Sequence, residues 1–214
     1  MPTKLKSGET LLFIGDSITD CGRREPQHQP LGCGYVQMVA DMLTIREPKK
    51  KITVINRGIS GDTVFDLRSR WHDDVFEIKP DWLSIKIGIN DLNRTLEGGA
   101  DLPAETFEEI YDSLLSQTAK RFPKCNLLLI DPFFMSRDRV NDSYRTRVLR
   151  TLPDYVDVVH RLSRKYKTRL VKTHDLFQEQ LKHHKLEVFC TEPIHPNSAG
   201  HLLMADAVYK SLSQ

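Results

Sequence analysis

The chain of 214 residues carries 31 lysine and arginine residues against 29 aspartate and glutamate residues, which leaves a formal net charge of +2 at pH 7. So balanced a charge provides no electrostatic footprint for nucleic acid or for an anionic membrane. No apolar run approaches the ~18 residues of a membrane span, and the opening residues do not resemble an export signal. We therefore expect a cytoplasmic protein that has neither nucleic acid nor membrane as a partner.

The length is sufficient to bury a full core, and no repeat, low-complexity segment or linker divides the chain. We therefore expect a single domain over residues 1–214. The four cysteines lack any C-x-x-C spacing, so we expect free thiols and no zinc site. They stand at Cys21, Cys33, Cys125 and Cys190, and the sequence assigns none of them a role.

The first strand is predicted at residues 11–14, where four apolar side chains meet Gly15, Asp16 and Ser17. A short apolar run closed by glycine is typical of a buried parallel strand that ends in a turn. In open α/β sheets, chemistry takes place just beyond the carboxyl ends of the strands. Ser17 is therefore expected at that edge of the sheet and not in its core.

Further strands and helices alternate along the rest of the chain. The strands are predicted at residues 51–56, 81–87, 126–130 and 169–173. The helices are predicted at residues 35–45, after Asp62 and Thr63, from Pro103 onward, over 143–167 with an interruption at Pro153, and over 197–212. Such alternation indicates βαβ units and hence a parallel sheet with helices on both faces.

Three later segments place polar residues where they could serve Ser17. A serine hydroxyl needs a positioned base, usually histidine, before it becomes a good nucleophile. His195 lies in the proline-punctuated loop T-E-P-I-H-P-N, which suits an exposed imidazole better than the alternative pair His174-Asp175 does. Glu192, three residues before His195, could orient the ring.

Ester cleavage also builds negative charge on the carbonyl oxygen, which needs preorganised donors. The backbone N–H groups of Ser17 and Gly61 and the side-chain amide of Asn90 form a coherent set. Asp16 is expected to form the turn and to orient Asn90, and Asp91 to brace the loop or cap a helix. This chemistry requires no metal or organic cofactor.

Four blocks, G-D-S-I-T-D, the turn at Gly61, G-I-N-D and H-P-N-S-A-G-H, resemble those of the SGNH (GDSL-type) hydrolase family. They span nearly the whole chain. The resemblance implies a flavodoxin-like three-layer α/β/α sandwich with a five-stranded parallel sheet. It also implies that Ser17 is the nucleophile, that Gly61 and Asn90 are oxyanion donors, and that His195 is the base.

One position departs from the family pattern, because the residue three before the histidine is usually aspartate and is Glu192 here. Glutamate serves as the triad acid in other hydrolases. Its extra methylene shifts the carboxylate, so a backbone carbonyl remains an alternative partner for the histidine, which would leave a Ser–His dyad.

Within the family, the segments G-D-S-I-T-D-C-G-R and R-W-H-D-D-V look most like bacterial carbohydrate acetylesterases of the acetylxylan esterase type. The resemblance implies a serine esterase that removes acetyl from a small-molecule or oligosaccharide ester. Two alternatives stay open, a lysophospholipase or thioesterase for longer acyl chains and a non-catalytic carbohydrate-binding protein. The oligomeric state stays open as well.

The sequence suggests two ways of holding a substrate. A rim containing Arg23, Arg24, Tyr35 and Trp71 could hold a sugar, because aromatic faces stack on pyranose rings. For Trp71 the simpler expectation is that it packs into the core from the helix after Thr63. Alternatively, apolar side chains could form a flap for a fatty acyl chain, and the candidates are Leu92, Phe133 and Phe134.

Overall fold

The computed structural model describes residues 2–98, 102–138 and 140–214. Within them, five strands form one sheet in the order β2-β1-β3-β4-β5, and every neighbouring pair is parallel. The strands are β1 (Thr10–Gly15), β2 (Thr53–Gly58), β3 (Trp82–Lys86), β4 (Asn126–Ile130) and β5 (Arg169–Val171). The predicted α/β class and the five-stranded parallel sheet are confirmed.

Helices connect the strands. They are α1 (Ser17–Asp20), α2 (Tyr35–Arg46), α3 (Val64–Trp71), α4 (Ile89–Glu97), α5 (Ala104–Arg121), α6 (Tyr144–Tyr166), α7 (Thr173–Gln180) and α8 (Ser198–Leu212). A π-helical turn (His72–Phe76) extends α3, and a short 3-10 turn (Leu186–Val188) precedes α8. None of the helices in the described ranges combines the length and the apolar composition that a bilayer span requires.

The direction of the crossovers places helices on both faces of the sheet. The chain steps from β1 to β2 in one direction along the sheet, and all later steps run in the other direction. Because crossovers are right-handed, α2 lies on one face, and α3, α5 and α6 lie on the other. The packing agrees, since α2 contacts α8 whereas α5 contacts both α3 and α6.

The interior strand β1, which lies between β2 and β3, reads T-L-L-F-I-G, and the side chains from Leu11 to Ile14 are fully buried. A strand covered on both faces carries a continuous apolar run and no alternation. The chain reverses its direction of winding between β1 and β3, which makes their carboxyl ends the switch point where open α/β sheets place their ligands. Ser17 follows β1 at this point, and Asn90 follows β3.

The expected interruption at Pro153 is wrong, because α6 runs without a break from Tyr144 to Tyr166. Proline removes one backbone hydrogen bond and crowds the preceding turn, which normally ends or kinks a helix. Here Leu149 and Leu152 before the proline and Val156 after it are all buried. Packing on both sides of Pro153 therefore holds the helix together.

The end of β2 is pressed against α1. A Cβ on Gly58 would lie 2.2 Å from the backbone nitrogen of Asp20 and 2.6 Å from the carbonyl carbon of Thr19. The side-chain amide of Asn56 donates to the carbonyl oxygens of Thr19 (2.6 Å) and Leu31 (2.8 Å). Only glycine permits this approach, which connects β2 to the segment that follows Ser17.

We predict that Gly58→Ala lowers the free energy of unfolding by roughly 2–3 kcal/mol, because the new methyl group meets backbone atoms that no rotamer can avoid. Urea unfolding measures the loss. Thr53→Ala is the matched control, since Thr53 is an exposed residue at the other end of β2. Equal stabilities of the two variants would show that the end of β2 is not confined in this way.

Candidate active site

Ser17, His195 and Glu192 form a continuous hydrogen-bonded chain. The Oγ of Ser17 lies 2.8 Å from Nε2 of His195, and Nδ1 of His195 lies 2.5 Å from Oε1 of Glu192. Ser17 is the first residue of α1, whereas His195 lies in the loop before α8, 178 positions along the chain. The side chains of His195 and Glu192 are 54% and 44% exposed, so the imidazole faces open solvent.

The Glu192 carboxylate determines the tautomer of the imidazole. An ionised carboxylate only accepts hydrogen bonds, so Nδ1 of His195 carries the proton that it donates to Glu192. The lone pair on Nε2 is then free to accept the hydroxyl proton of Ser17. This arrangement can deprotonate a serine as an acyl bond is attacked.

The longer side chain of Glu192 curls back onto its own loop. Besides the ring contact, its carboxylate accepts from the backbone N–H groups of His195 (2.8 Å) and Ile194 (2.9 Å). These bonds fix the carboxylate beside the imidazole although the side chain is one methylene longer than that of aspartate. The group that contacts Nδ1 is therefore the Glu192 carboxylate and not a backbone carbonyl.

A buried ion pair lies next to Ser17. The Asp16 carboxylate accepts from the backbone N–H of Ile18 (3.1 Å), and it lies 2.9 Å from Nζ of Lys86. Both side chains are fully buried, and burial lowers the pKa of Lys86 against the opposing effect of the Asp16 charge. Asp16 therefore shapes the turn after β1, as expected. Its carboxylate contacts Lys86, and the Asn90 amide is bound to Asp62, so the expectation that Asp16 orients Asn90 is wrong.

Helix α4 holds the turn at Gly61. The Asn90 amide donates to the carbonyl oxygen of Asp62 (2.9 Å), and Nη2 of Arg94 donates to that of Gly61 (2.8 Å). Gly61 has φ +85°, a conformation that favours glycine, and a Cβ there would meet nothing within 4 Å. Asn90 retains a second amide hydrogen, and the N–H of Ser17 has no acceptor within its helix. These groups are able to act as donors to an oxyanion.

Arg70 connects several of these segments. Its guanidinium donates to the carbonyl oxygens of Arg57 (2.8 Å) and Gly15 (3.3 Å). It also forms ion pairs with Asp62 (2.7 Å) and Asp74 (2.6 Å). The ends of β1 and β2 and the turn after Gly61 are therefore bound to one side chain of α3.

Asp91 is a buried carboxyl group at the start of α4. Its Oδ1 accepts from the backbone N–H of Val64 at the start of α3 (2.9 Å), whereas no partner is found for its buried Oδ2 within the described ranges. Burial raises the pKa of Asp91 to about 7, and the nearby Asp16 charge also raises it. Asp91 thus joins α3 to α4 and changes charge near neutral pH.

The suggested sugar-binding role of Tyr35 and Trp71 is wrong, whereas the expected packing of Trp71 into the core is confirmed. Tyr35 is fully buried, and its hydroxyl lies 3.0 Å from Oγ1 of Thr19. Trp71 is 2% exposed, and its indole N–H donates to Oγ1 of Thr118 (3.1 Å). Both rings belong to the core, so neither can stack on a pyranose.

Of the two arginines expected at the rim, only Arg24 is exposed. Arg23 is largely buried, and its Nε donates to the carbonyl oxygen of Gly58 (2.6 Å). The neighbouring Asp20 carboxylate accepts from both the N–H and the hydroxyl of Ser60. This segment therefore supports the residues that lead to Gly61.

Sequence reasoning missed Lys86, Arg70 and Arg94. A lysine inside the predicted buried strand at 81–87 was a signal, because a buried charge requires a partner.

His174, the alternative histidine, accepts weakly from the backbone N–H of Phe134 (3.5 Å) and makes no contact with Ser17. Among the residues that the structure describes, no group of three or more His, Cys, Asp or Glu side chains could hold a metal ion.

The parallel sheet and the Ser–His–carboxylate chain at its carboxyl edge are the features of a serine hydrolase of the SGNH type. The model of the GDSL-like lipase/acylhydrolase family matches residues 13–203. The chain belongs to this family.

The chain is similar throughout its length to an acetylxylan esterase of Geobacillus stearothermophilus. The two are 38% identical over 98% of this chain and 96% of that one. The crystal structure of that esterase, Axe2, superposes with a TM-score of 0.87 at 36% identity and covers 99% of this chain and 97% of its own. LAE5, an alpha/beta hydrolase from the metagenome of Lake Arreo in Spain, gives a TM-score of 0.86 at 32% identity, with 97% and 96% covered.

Three further crystal structures of Axe2 are catalytic mutants in which a serine, an aspartate or a histidine is replaced by alanine. In that relative the aspartate precedes the histidine by three residues, the spacing of Glu192 and His195 here. The two chains therefore differ in the acid at this position by one methylene.

We predict that the contribution of Asp91 to the free energy of unfolding falls as the pH rises from about 4 to about 7. Its pKa is higher in the folded than in the unfolded chain, so the folded state binds the proton more tightly over this interval. Asp91→Asn keeps an acceptor for Val64 but no longer titrates. The stability of the wild type relative to this variant should fall by on the order of 3–4 kcal/mol across the interval.

Urea unfolding at a series of pH values measures the difference. The control is Asp154→Asn, which removes an exposed carboxylate of α6. A difference between wild type and Asp91→Asn that stays constant with pH would contradict the prediction.

Proposed function

We propose that the protein is a serine esterase that removes acetyl groups from an acetylated oligosaccharide, with xylo-oligosaccharides as the first substrates to test. The hydrogen-bonded chain Ser17–His195–Glu192 is the observation that carries the proposal. The similarity to an acetylxylan esterase over 98% of the chain supports the substrate class. The proposed catalytic unit is one domain that spans residues 1–214.

In the first half of the reaction, Oγ of Ser17 attacks the ester carbonyl while its proton passes to Nε2 of His195. The carbonyl oxygen becomes an oxyanion, and the N–H groups of Ser17 and Gly61 and the amide of Asn90 donate to it. Donors fixed before the reaction stabilise this charge without reorganising, and each is typically worth ~3–4 kcal/mol. His195 then gives its proton to the sugar oxygen as the bond between that oxygen and the acetyl carbon breaks, which releases the sugar hydroxyl.

In the second half, water replaces the sugar. His195 takes a proton from the water, whose oxygen attacks the acetyl carbon on Ser17. The bond between that carbon and Oγ of Ser17 then breaks, and His195 returns the proton to Oγ, which releases acetic acid and restores free Ser17. The Glu192 carboxylate stabilises the imidazolium that forms twice in the cycle. The bonds from two backbone N–H groups help to keep this carboxylate in place.

The burial of apolar side chains favours a short acyl group. Leu92 and Phe133 are fully buried and Phe134 is 2% exposed, so none of them presents a surface to a fatty acyl chain. Because the imidazole is half exposed, a large alcohol such as an oligosaccharide can reach it. These features support acetyl transfer over the lysophospholipase or thioesterase alternative.

We also propose a cytoplasmic location. All four cysteines are free thiols, and two of them, Cys21 and Cys33, have their sulfur atoms only 3.5 Å apart. An oxidising compartment favours bridging of such pairs, whereas the cytosol keeps them reduced. Fractionation of the source cells followed by immunoblotting tests the location.

The decisive assay compares initial rates on p-nitrophenyl acetate, butyrate and octanoate, and measures acetate released from a peracetylated xylo-oligosaccharide. We expect kcat/KM to fall about tenfold or more from acetate to octanoate. A rise with chain length would favour the longer-chain alternative. Sugar binding without turnover of any ester would favour the non-catalytic one.

We predict that Ser17→Ala lowers kcat by about 10⁴-fold or more and leaves the fold intact, because the hydroxyl reacts and does not pack. Ser69→Ala is the control, since Ser69 is an exposed serine on α3. Circular dichroism confirms folding of both. Activity of Ser17→Ala near that of the control would refute the mechanism.

We predict a graded series at Glu192. His195→Ala should reduce kcat by about 10⁴-fold or more. The reduction in kcat for Glu192→Gln should be smaller by a factor of roughly 10–100, because the carboxylate orients the base and transfers no proton. Glu192→Asp restores the acid of the relative and should stay within about tenfold of wild type. Equal losses for His195→Ala and Glu192→Gln would assign the carboxylate a larger role than orientation.

A further inference from the structure

Two cysteines that the proposed mechanism does not use lie close together beside the site. The Sγ atoms of Cys21 and Cys33 are 3.5 Å apart, and both thiols are free. The backbone already holds the pair together, because the N–H of Cys33 donates to the carbonyl oxygen of Cys21 (2.9 Å). Closing the gap to the ~2.05 Å of a disulfide requires the sulfur atoms to approach by only about 1.5 Å.

The two thiols differ in their surroundings. Cys33 is exposed, and its thiol donates to the carbonyl oxygen of Cys21 (3.3 Å). Cys21 is partly buried, and its pKa is raised to about 12, mainly by burial and to a smaller extent by the hydrogen bond with Cys33. An oxidant in solution therefore meets the sulfur of Cys33 first, while Cys21 remains a protonated thiol beside it.

His201 holds the Cys21 side chain in place. Its Nδ1 accepts from the backbone N–H of Tyr35 (3.2 Å), and burial lowers its pKa to about 4, so the ring is neutral with its proton on Nε2. That Nε2–H lies 3.4 Å from Sγ of Cys21 and donates to it. The contact holds the Cys21 sulfur with a neutral donor and places no charge beside it.

We propose that Cys21 and Cys33 are an oxidisable pair, which a peroxide converts into a reversible intramolecular disulfide. The sulfur of Cys33 attacks one oxygen of hydrogen peroxide, the O–O bond breaks, and a sulfenic acid and one water form. The sulfur of Cys21 then attacks that of Cys33, the S–O bond breaks, and the hydroxyl leaves with the Cys21 proton as a second water. Two thiols lose two electrons and two protons, and one peroxide becomes two waters.

The bond closes the loop 21–33 beside the site. Within this loop, Arg23 donates to the carbonyl oxygen of Gly58, and Leu31 accepts from the amide of Asn56, so the loop rests on the end of β2. A cross-link over a loop of this length restricts the unfolded chain and so favours the folded one. A dithiol such as dithiothreitol reverses the bond by thiol–disulfide exchange.

The experiment treats the full chain with hydrogen peroxide at a few equivalents, alkylates the remaining thiols, and maps the peptides by mass spectrometry. We expect a Cys21–Cys33 linked peptide, a loss of two hydrogens in mass, and a rise in Tm of about 6–12 °C. Dithiothreitol should restore the reduced mass and the original Tm. None of these readouts depends on esterase activity, so the proposal stands or fails separately from the proposed function.

Two variants sharpen the test. Cys33→Ser replaces an exposed thiol and should show neither the link nor the rise in Tm. Cys125→Ser, the matched control, removes the cysteine just before β4 and should behave as the wild type does. Four free thiols after treatment, covalent dimers, oxygen added to Cys33 without a link, or an unchanged Tm despite the link would each overturn the proposal.

Discussion

The ammonium of Lys86 and the carboxylate of Asp16 lie 2.9 Å apart where both side chains are fully excluded from water. Either charge alone at that depth would destabilise the fold by several kcal/mol, so the pair must form whenever the protein folds. Lys86 ends β3 opposite Gly15 at the end of β1. The pair therefore fixes the relative position of the two strands that deliver Ser17 and Asn90.

Around this pair, helix α4 holds the turn that carries one of the proposed oxyanion donors. Asn90 and Arg94 stand one turn apart on α4, and each binds a carbonyl oxygen of the turn at Gly61–Asp62. The carbonyl oxygens of the turn are thus bound to α4, whereas the backbone N–H of Gly61 is the proposed donor to an oxyanion. Glu192 is held by the backbone in a similar way. Two backbone N–H groups bind its carboxylate, and its Oε1 contacts the imidazole.

The local sequence pattern was sufficient to predict the strands of the sheet and the position of Ser17 at the end of the first strand. It was not sufficient to predict the contacts of side chains whose partners are distant in sequence. The predicted β4 matches the observed strand, because a strand buried on both faces is a continuous apolar run. The sequence predicts Trp71 chiefly as a core residue but places Tyr35 at the rim, and only the tertiary fold shows that both rings are buried. Lys86 could not be understood from its own strand, since its partner Asp16 lies 70 positions away.

The contacts of Arg70 have a consequence for how this family member responds to substitution. One planar guanidinium holds the carbonyl oxygens of Gly15 and Arg57 as well as the carboxylates of Asp62 and Asp74. Lysine cannot replace it, because a single ammonium lacks the flat fork of five N–H groups. Loss of Arg70 would therefore release the ends of β1 and β2 and the turn after Gly61 at once, so a random screen for inactive variants would select Arg70 together with Ser17 and His195.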